Sequence, residues 1–314
     1  MVHQLLLIST VPHSKYVQTE ATLQAITGLL SPQPIATYSL ITRPNHIFKP
    51  KFEPGKVNQI EQYYMKCVTT WDDNDFSIKD PVLEDSLIFV KKLFDSKSPE
   101  RIWTLQISDI PIAGKNQPCC AQTINESTVI HTHTSVDGQK DVIPETIPEN
   151  DQLPENNKSD DMDLDIMEIK QYSPLNEVKP KDEKLKRPKR DSISIDRLDT
   201  PQNDSFLQFL SDLGYDVINQ YWIKGVRFFY NDIVIEIFKI FIRDDNYTGK
   251  EIKLKLLDES NTFQFKAYIN IAKSTNVDAI NSGTKELLKL QDLLGNLLKL
   301  EIPDRMFMDS RVRN

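Results

Sequence analysis

His131 and His133 are two positions apart, so on a strand they share one face and together present two imidazoles to a divalent metal. A zinc site needs a third and usually a fourth ligand. No Cys or third His stands near the pair, so surface or cross-strand histidines are the better reading. Cys119 and Cys120 are adjacent in a Pro-flanked loop, a placement that points the two thiols apart and argues against a redox pair. The run DDMDLDIMEI, Asp160 to Ile169, begins like a calcium loop. Counted from Asp161, however, the sixth position is Ile166 where glycine is required, and the twelfth is Tyr172 where glutamate is required. There is no GxSxG, P-loop or GxGxxG motif. No catalytic constellation, metal or cofactor is expected.

Aromatic residues offer a different chemistry. Tyr221, Trp222, Phe228, Phe229, Tyr230, Phe238 and Phe241 are of the types that stack nucleic-acid bases. They stand among aliphatic residues on consecutive strand-like runs, which favours core packing. Consecutive strand residues alternate faces, so Phe228 and Phe229 cannot both enter one core. One of the two is either covered by a helix or available to a partner.

The elements that must carry these residues are legible in outline. Val2 to Ser9 reads as a strand, and Val17 to Leu30 as a short amphipathic helix with Leu23, Ile26 and Leu30 at helical spacing, stopped by Pro32 and Pro34. Ile35 to Thr42, Gln59 to Thr70, Arg101 to Ile107 and Ala121 to Thr134 read as strands, while Leu83 to Phe94 fits helix or strand. Asp204 or Ser205 can cap a helix carrying Phe206, Phe209, Leu210 and Leu213, closed by Gly214. Tyr215 to Ile223 and Val226 to Lys239 follow as strands, with a hairpin signal at Asn231-Asp232. Glu251 to Leu257 and Phe263 to Lys273 add two more. Lys285 to Leu298 is an amphipathic helix with Leu287, Leu290, Leu294 and Leu297 on one stripe. The terminal RMFMDSRV reads as strand-like. Eight to ten strands with few helices predict an α+β chain that is predominantly antiparallel β, its sheet curled or closed into a barrel that removes exposed edges.

Charge divides this sequence. The 314 residues carry a formal −8, but Asp137 to Thr200 holds 17 acidic and 11 basic residues and thus −6 of it. Only 16 of those 64 positions are hydrophobic, too few to offset the entropy of ordering the chain, so the stretch reads as a disordered insertion. The organisation expected is a first half-domain at 1–135, an insertion at 136–203 and a second half-domain at 204–314. One split domain is preferred, because loop-closure entropy grows only logarithmically with loop length. The insertion is acidic first and basic last, closing on KLKRPKR. Lys184, Lys186, Arg187, Lys189 and Arg190 form a candidate nuclear import signal, and phosphate on Ser192 or Ser194 would neutralise part of it. The near-neutral remainder argues against a dedicated phosphate-backbone binder. No apolar run approaches the length of a membrane helix, and the first strand lacks the basic region of a secretory signal. Three cysteines, two of them adjacent, do not make a disulfide framework, so a reducing compartment is expected.

Several longer segments carry a family resemblance. WTLQISDIPIAG (Trp103 to Gly114), QTI (Gln122 to Ile124), LGYDVINQYWIKGVRFFYNDIVIEIFKI (Leu213 to Ile240), KAYINIAK (Lys266 to Lys273) and PDRMFMDSR (Pro303 to Arg311) resemble subunit 18 of the Mediator complex of RNA polymerase II in its yeast form. The N-terminal strand and helix, through Gly28, fit as well. The matches flank the insertion on both sides in the family's order.

That resemblance implies a single β-barrel with flanking helices. It implies a nuclear, non-enzymatic subunit of the Mediator head module that pairs with Mediator subunit 20 and is tethered by a helix of subunit 8. It also implies contact with RNA polymerase II in support of initiation. The fold of the family is similar to that of fungal RNA triphosphatases, tunnel enzymes that bind a divalent metal through Glu-x-Glu pairs. This chain has no Glu-x-Glu; Glu236 is a single glutamate in an apolar strand, with Lys239 three residues on. Triphosphatase chemistry is therefore the disfavoured alternative. Partner contacts are expected on the first helix at Thr22, Leu23 and Ile26, at Phe228 and Phe229, and at the C-terminal Asp309, Ser310 and Arg311. For the helix and the aromatics the competing reading is core packing; for Arg311 it is an internal ion pair with a carboxylate.

Overall fold

The computed structural model describes residues 1–46, 61–71, 88–94, 101–112, 117–131 and 205–312. Ten strands form one sheet: β1 (Val2–Val11), β2 (Gln33–Pro44), β3 (Met65–Thr70), β4 (Ile88–Val90), β5 (Arg101–Ser108), β6 (Cys120–His131), β7 (Tyr215–Tyr230), β8 (Ile233–Arg243), β9 (Ile252–Leu256) and β10 (Phe263–Ile271). Among the described residues four α-helices accompany them: α1 (Tyr16–Thr27), α2 (Ser205–Asp212), α3 (Val277–Leu294) and α4 (Arg305–Met308).

Eight of the strands close on themselves in the order β10-β1-β6-β5-β3-β2-β7-β8, and β8 pairs back with β10. The paired strands are antiparallel throughout, so the fold is an eight-stranded antiparallel barrel with few helices. Strand β8 also forks. Its residues 234–238 pair with β10, and 241–243 pair on to β9, which carries β4 as a two-stranded flap. Strand β7 runs without a break through Gly225, so the two runs expected at Tyr215 to Ile223 and Val226 onward are one strand. A glycine is required there, because a Cβ on Gly225 would lie 2.1 Å from the Ile237 carbonyl oxygen.

The apolar core lies outside the barrel wall. A closed eight-stranded barrel has room inside only for side chains, so the face that packs against helices must be the outer one. On β8 the outer residues Ile233, Ile235 and Ile237 are fully buried, as are Phe263, Phe265 and Ala267 on β10. They meet Leu23 of α1 and Leu287, Leu290 and Leu294 of α3. Gly283 lets α3 settle close to the wall; a Cβ there would stand 3.2 Å from Leu5 Cδ1. A second cluster lies against the same outer face farther round the wall. There α2 inserts Phe206, which stacks on Trp103 at a centroid distance of 4.0 Å, and Tyr38 meets Trp222 at 4.9 Å.

Several boundaries differ from expectation for local reasons. Helix α1 ends at Gly28, whose φ of 70° supplies the left-handed cap, and Leu30 falls beyond it, exposed. Helix α3 begins at Val277 instead of Lys285, because Asn276 caps it by accepting from the Ala279 amide at 3.1 Å. Leu298, not Leu297, is the buried leucine after its end. Helix α2 stops before Leu213, which is exposed. The terminal RMFMDSRV is not all strand: Asp304 caps the short helix α4 by accepting from the Met306 amide. The ambiguous Leu83 to Phe94 contains strand β4, and its residues before Ile88 lie outside the described residues.

Candidate functional site

The C-terminal segment completes the wall where β5 and β6 stop short. Glu301 exchanges two backbone hydrogen bonds with Ile8 of β1, at 2.9 and 2.8 Å, beyond the start of β6. Helix α4 then passes Cys120, with the Met308 sulfur 3.5 Å from the Cys120 thiol. Gln122 Nε2 donates to the carbonyls of Asp109 and Met308. Residues 310–312 run alongside residues 62–64: Tyr64 N donates to Ser310 O, and Val312 N donates to Gln62 O, each at 2.7 Å. The Ser310 hydroxyl donates to the Ser108 carbonyl. This strap bonds to β1 at one end and to the approach to β3 at the other.

Charges lock the far end of the strap. Arg311 Nη2 lies 2.7 Å from Asp309 Oδ2, and its Nη1 lies 3.2 Å from Glu61 Oε1. These hydrogen bonds raise the Arg311 pKa further above its ordinary value, with Asp309 the larger cause. Glu61 also accepts from the Tyr63 hydroxyl at 2.8 Å. Burial, followed by that hydrogen bond, pushes the Tyr63 phenol up to about 12, so it stays neutral. A cleft of about 370 Å³ opens beside this lock, lined by His46, Glu61, Tyr63, Leu213 and Tyr215 among others. The expected internal ion pair of Arg311 is thus present, and the sequence reading missed its partner Glu61.

The residues expected on contact surfaces divide by depth. Leu23 and Phe228 are 0 % exposed and belong to the cluster beneath the helices, so neither reaches a partner unless the core opens. Thr22 and Ile26 are half-buried on α1, and the Thr22 hydroxyl donates to the Gln18 carbonyl of its own helix. Phe229, directly after Phe228, is 46 % exposed, as strand alternation requires. Asp309, Ser310 and Arg311 are half-buried in the strap. Two apolar residues not anticipated on a surface, Met306 and Phe307 of α4, are 61 % and 90 % exposed. The Asp304 cap ahead of RMFM was the available signal for them.

Groups that suggested chemistry are otherwise occupied. Glu236 faces the lumen and receives two bonds on one oxygen from Arg227, at 2.9 Å from Nε and 2.6 Å from Nη2, with a third from the Tyr268 hydroxyl at 3.2 Å. Lys239 is on the opposite face of β8, buried against His13, Asn261 and the Phe263 ring. Burial pushes the Cys67 thiol up to about 12 and raises the Cys119 and Cys120 thiols as well, which leaves them as unreactive packing groups. Among the described residues no group of three His, Cys, Asp or Glu is placed to hold a metal, and no helix is long and apolar enough to cross a membrane. The His131 side chain, His133, the acidic run at Asp160 to Ile169, the basic run from Lys184 to Arg190 and Ser192 and Ser194 lie outside the described residues.

A family model described as "Med18 protein" matches residues 3–311. The chain belongs to the Med18 family. Within it, Mediator of RNA polymerase II transcription subunit 18 of Candida albicans is 51 % identical over 100 % of both chains. The same subunit of Debaryomyces hansenii is 54 % identical over 99 % of each, and that of Scheffersomyces stipitis 54 % identical over 100 % of this chain and 99 % of its own. A chain in the structure of the Schizosaccharomyces pombe Mediator head module covers 96 % of this chain and 98 % of its own, with a TM-score of 0.53 and 12 % identity, a likeness of fold. The family is one of non-enzymatic Mediator subunits, in keeping with a lumen glutamate held in an ion pair.

Proposed function

We propose that this chain acts in the nucleus as a head-module subunit of Mediator, supporting RNA polymerase II initiation through protein–protein contacts. In this reading it pairs with Mediator subunit 20 and receives a helix of subunit 8. The observation that carries the proposal is identity above half across the full length of subunit 18 relatives. Docking proceeds by burial of apolar surface inside a polar rim. Thr22 and Ile26 on α1, Phe229 at the β7–β8 hairpin, and the strap at Asp309, Ser310 and Arg311 are the proposed contact residues. Leu23 and Phe228 support the first two surfaces from beneath.

Co-expression with subunits 20 and 8 of the same organism, followed by size exclusion, tests this. A stable ternary complex is expected; a chain that elutes as a monomer beside both partners would sink the reading. The basic run at Lys184, Lys186, Arg187, Lys189 and Arg190 is proposed as the import signal. Replacing these five by alanine in a fluorescent fusion is expected to reduce nuclear accumulation. Deleting residues 137–200 is expected to leave complex formation intact.

A further inference from the structure

Charged residues stand on the inner face of the barrel among apolar ones. On β8, β10, β7 and β3 the inward residues Glu236, Lys266, Tyr268, Arg227 and Lys66 are half-buried, while their outward neighbours are buried. These side chains keep part of their surface accessible, although protein surrounds the lumen. Lys66 stands on β3 and Lys266 on β10, strands four places apart in the ring by either route. Lys66 alternates with the buried outer residues Met65 and Cys67, and Lys266 with Phe265 and Ala267, so both project into the lumen from opposite walls, where the charge of Lys66 acts on Lys266.

Their surroundings do not neutralise them. Glu236 is opposite Lys266 in the β8–β10 register, but its bonded oxygen is taken by Arg227 and Tyr268. Glu126, on β6, accepts from Gln106 Nε2 at 2.8 Å. Among the described residues three cations thus share this face with two carboxylates. Neither Lys66 nor Lys266 has a hydrogen-bond acceptor among the described residues. Each rests on an aromatic ring instead, Lys66 Nζ 5.7 Å from the Tyr221 centroid and Lys266 Nζ 4.5 Å from that of Tyr268. Two convergent ammonium donors with unfilled hydrogen-bonding capacity, in a water-accessible but enclosed space, match one small multivalent oxyanion.

We infer that the lumen binds a small oxyanion between Lys66 and Lys266, held without turnover. The bound ion would screen the repulsion between the lysines and supply the acceptors they lack. Nothing in the site activates a nucleophile: Glu236 is engaged, and burial raises the thiols. Burial, with Lys66 and Arg227 adding to it against the pull of Glu236 and Glu126, holds Lys266 down to about 8. Occupancy should accordingly fall as the pH passes that value.

The test is calorimetric titration of the full-length chain with inorganic phosphate at constant ionic strength and pH 7. The expected result is saturable one-to-one binding, weakened tenfold or more by Lys66→Met or by Lys266→Met and unchanged by Lys289→Met, a change on the exposed face of α3. Lys66→Arg and Lys266→Arg keep the charge and are expected to keep binding; they serve where a methionine variant fails to fold. Absence of saturable binding in the wild type overturns the inference. So does binding that persists unchanged in both methionine variants, which would mean an adventitious ion only.

Discussion

Arg311 and Glu61 are 250 positions apart and meet at 3.2 Å, where the strap joins the approach to β3. The contact fixes the last residues of the chain against a segment from its first quarter. Replacing Arg311 by methionine removes both of its carboxylate partners at once. Amide hydrogen exchange at Tyr64 and Val312 is then expected to accelerate, with the β1–β10 amides unchanged. Equal acceleration in both places would show that the strap is part of the global unfolding unit and not a separable closure.

Adjacent residues on β7 should respond oppositely to truncation. Phe228→Ala empties a fully buried position beneath the helices and should cost about 3–5 kcal/mol. Phe229→Ala removes a half-exposed ring from the opposite face and should stay within about 0.5 kcal/mol in the isolated chain. If Phe229 is a contact, its truncation weakens the complex with subunits 20 and 8 without that stability loss. Urea denaturation and pull-down on the same two variants separate these outcomes.

Gly225 has no room for a side chain. Its Cβ would strike the Ile237 carbonyl and the Phe238 backbone of the paired strand. Gly225→Ala is expected to lower the stability of the barrel by about 1–3 kcal/mol, read from the urea midpoint, through forced separation of β7 and β8. An unchanged midpoint would mean that the two strands part at no cost.

Lys266 makes stability depend on pH in a stated direction. Its folded pKa of about 8 lies below the ordinary 10.5, so between those values the unfolded chain binds more protons than the folded one. Stability therefore rises with pH across that window, and the lysine is most destabilising below about 8. The melting temperature of the wild type should gain on that of Lys266→Met between pH 8 and 10. A constant difference between the two would contradict the assignment of Lys266 to the lumen.

Much of the strand content was legible because β-branched and aromatic runs alternate between obvious turns. Asn231-Asp232 gave the β7–β8 hairpin, and Asn231 indeed takes a positive φ of 52°. Gly214 and Gly28 both adopt the left-handed geometry that ends a helix, and at α1 Pro32 and Pro34 offer a second, later stop signal that the chain does not use. What no local pattern reveals is which face of each strand is inside. Glu236 reads as a single glutamate in an apolar strand, and only the β8–β10 pairing that closes the barrel sets it beside Lys266 on the lumen side. The strap was missed for a related reason. Glu61, Ser108 and the Met308–Arg311 segment come from three separate stretches, and their meeting depends on where β5 and β6 end.

The pairing of β1 with β10 sets a condition on how this protein is made. Leu5 finds its partner Ile269 only after nearly the whole chain has left the ribosome. Until then β1 presents an open edge along its whole β10 side, and the outer faces of β1 and β2 wait for helices α3 and α2. Such delayed, non-local closure favours slow folding and exposes the nascent chain to strand-to-strand aggregation. Binding partners that arrive early, or chaperones that shield β1, would govern the yield of assembled subunit more than the stability of the finished barrel.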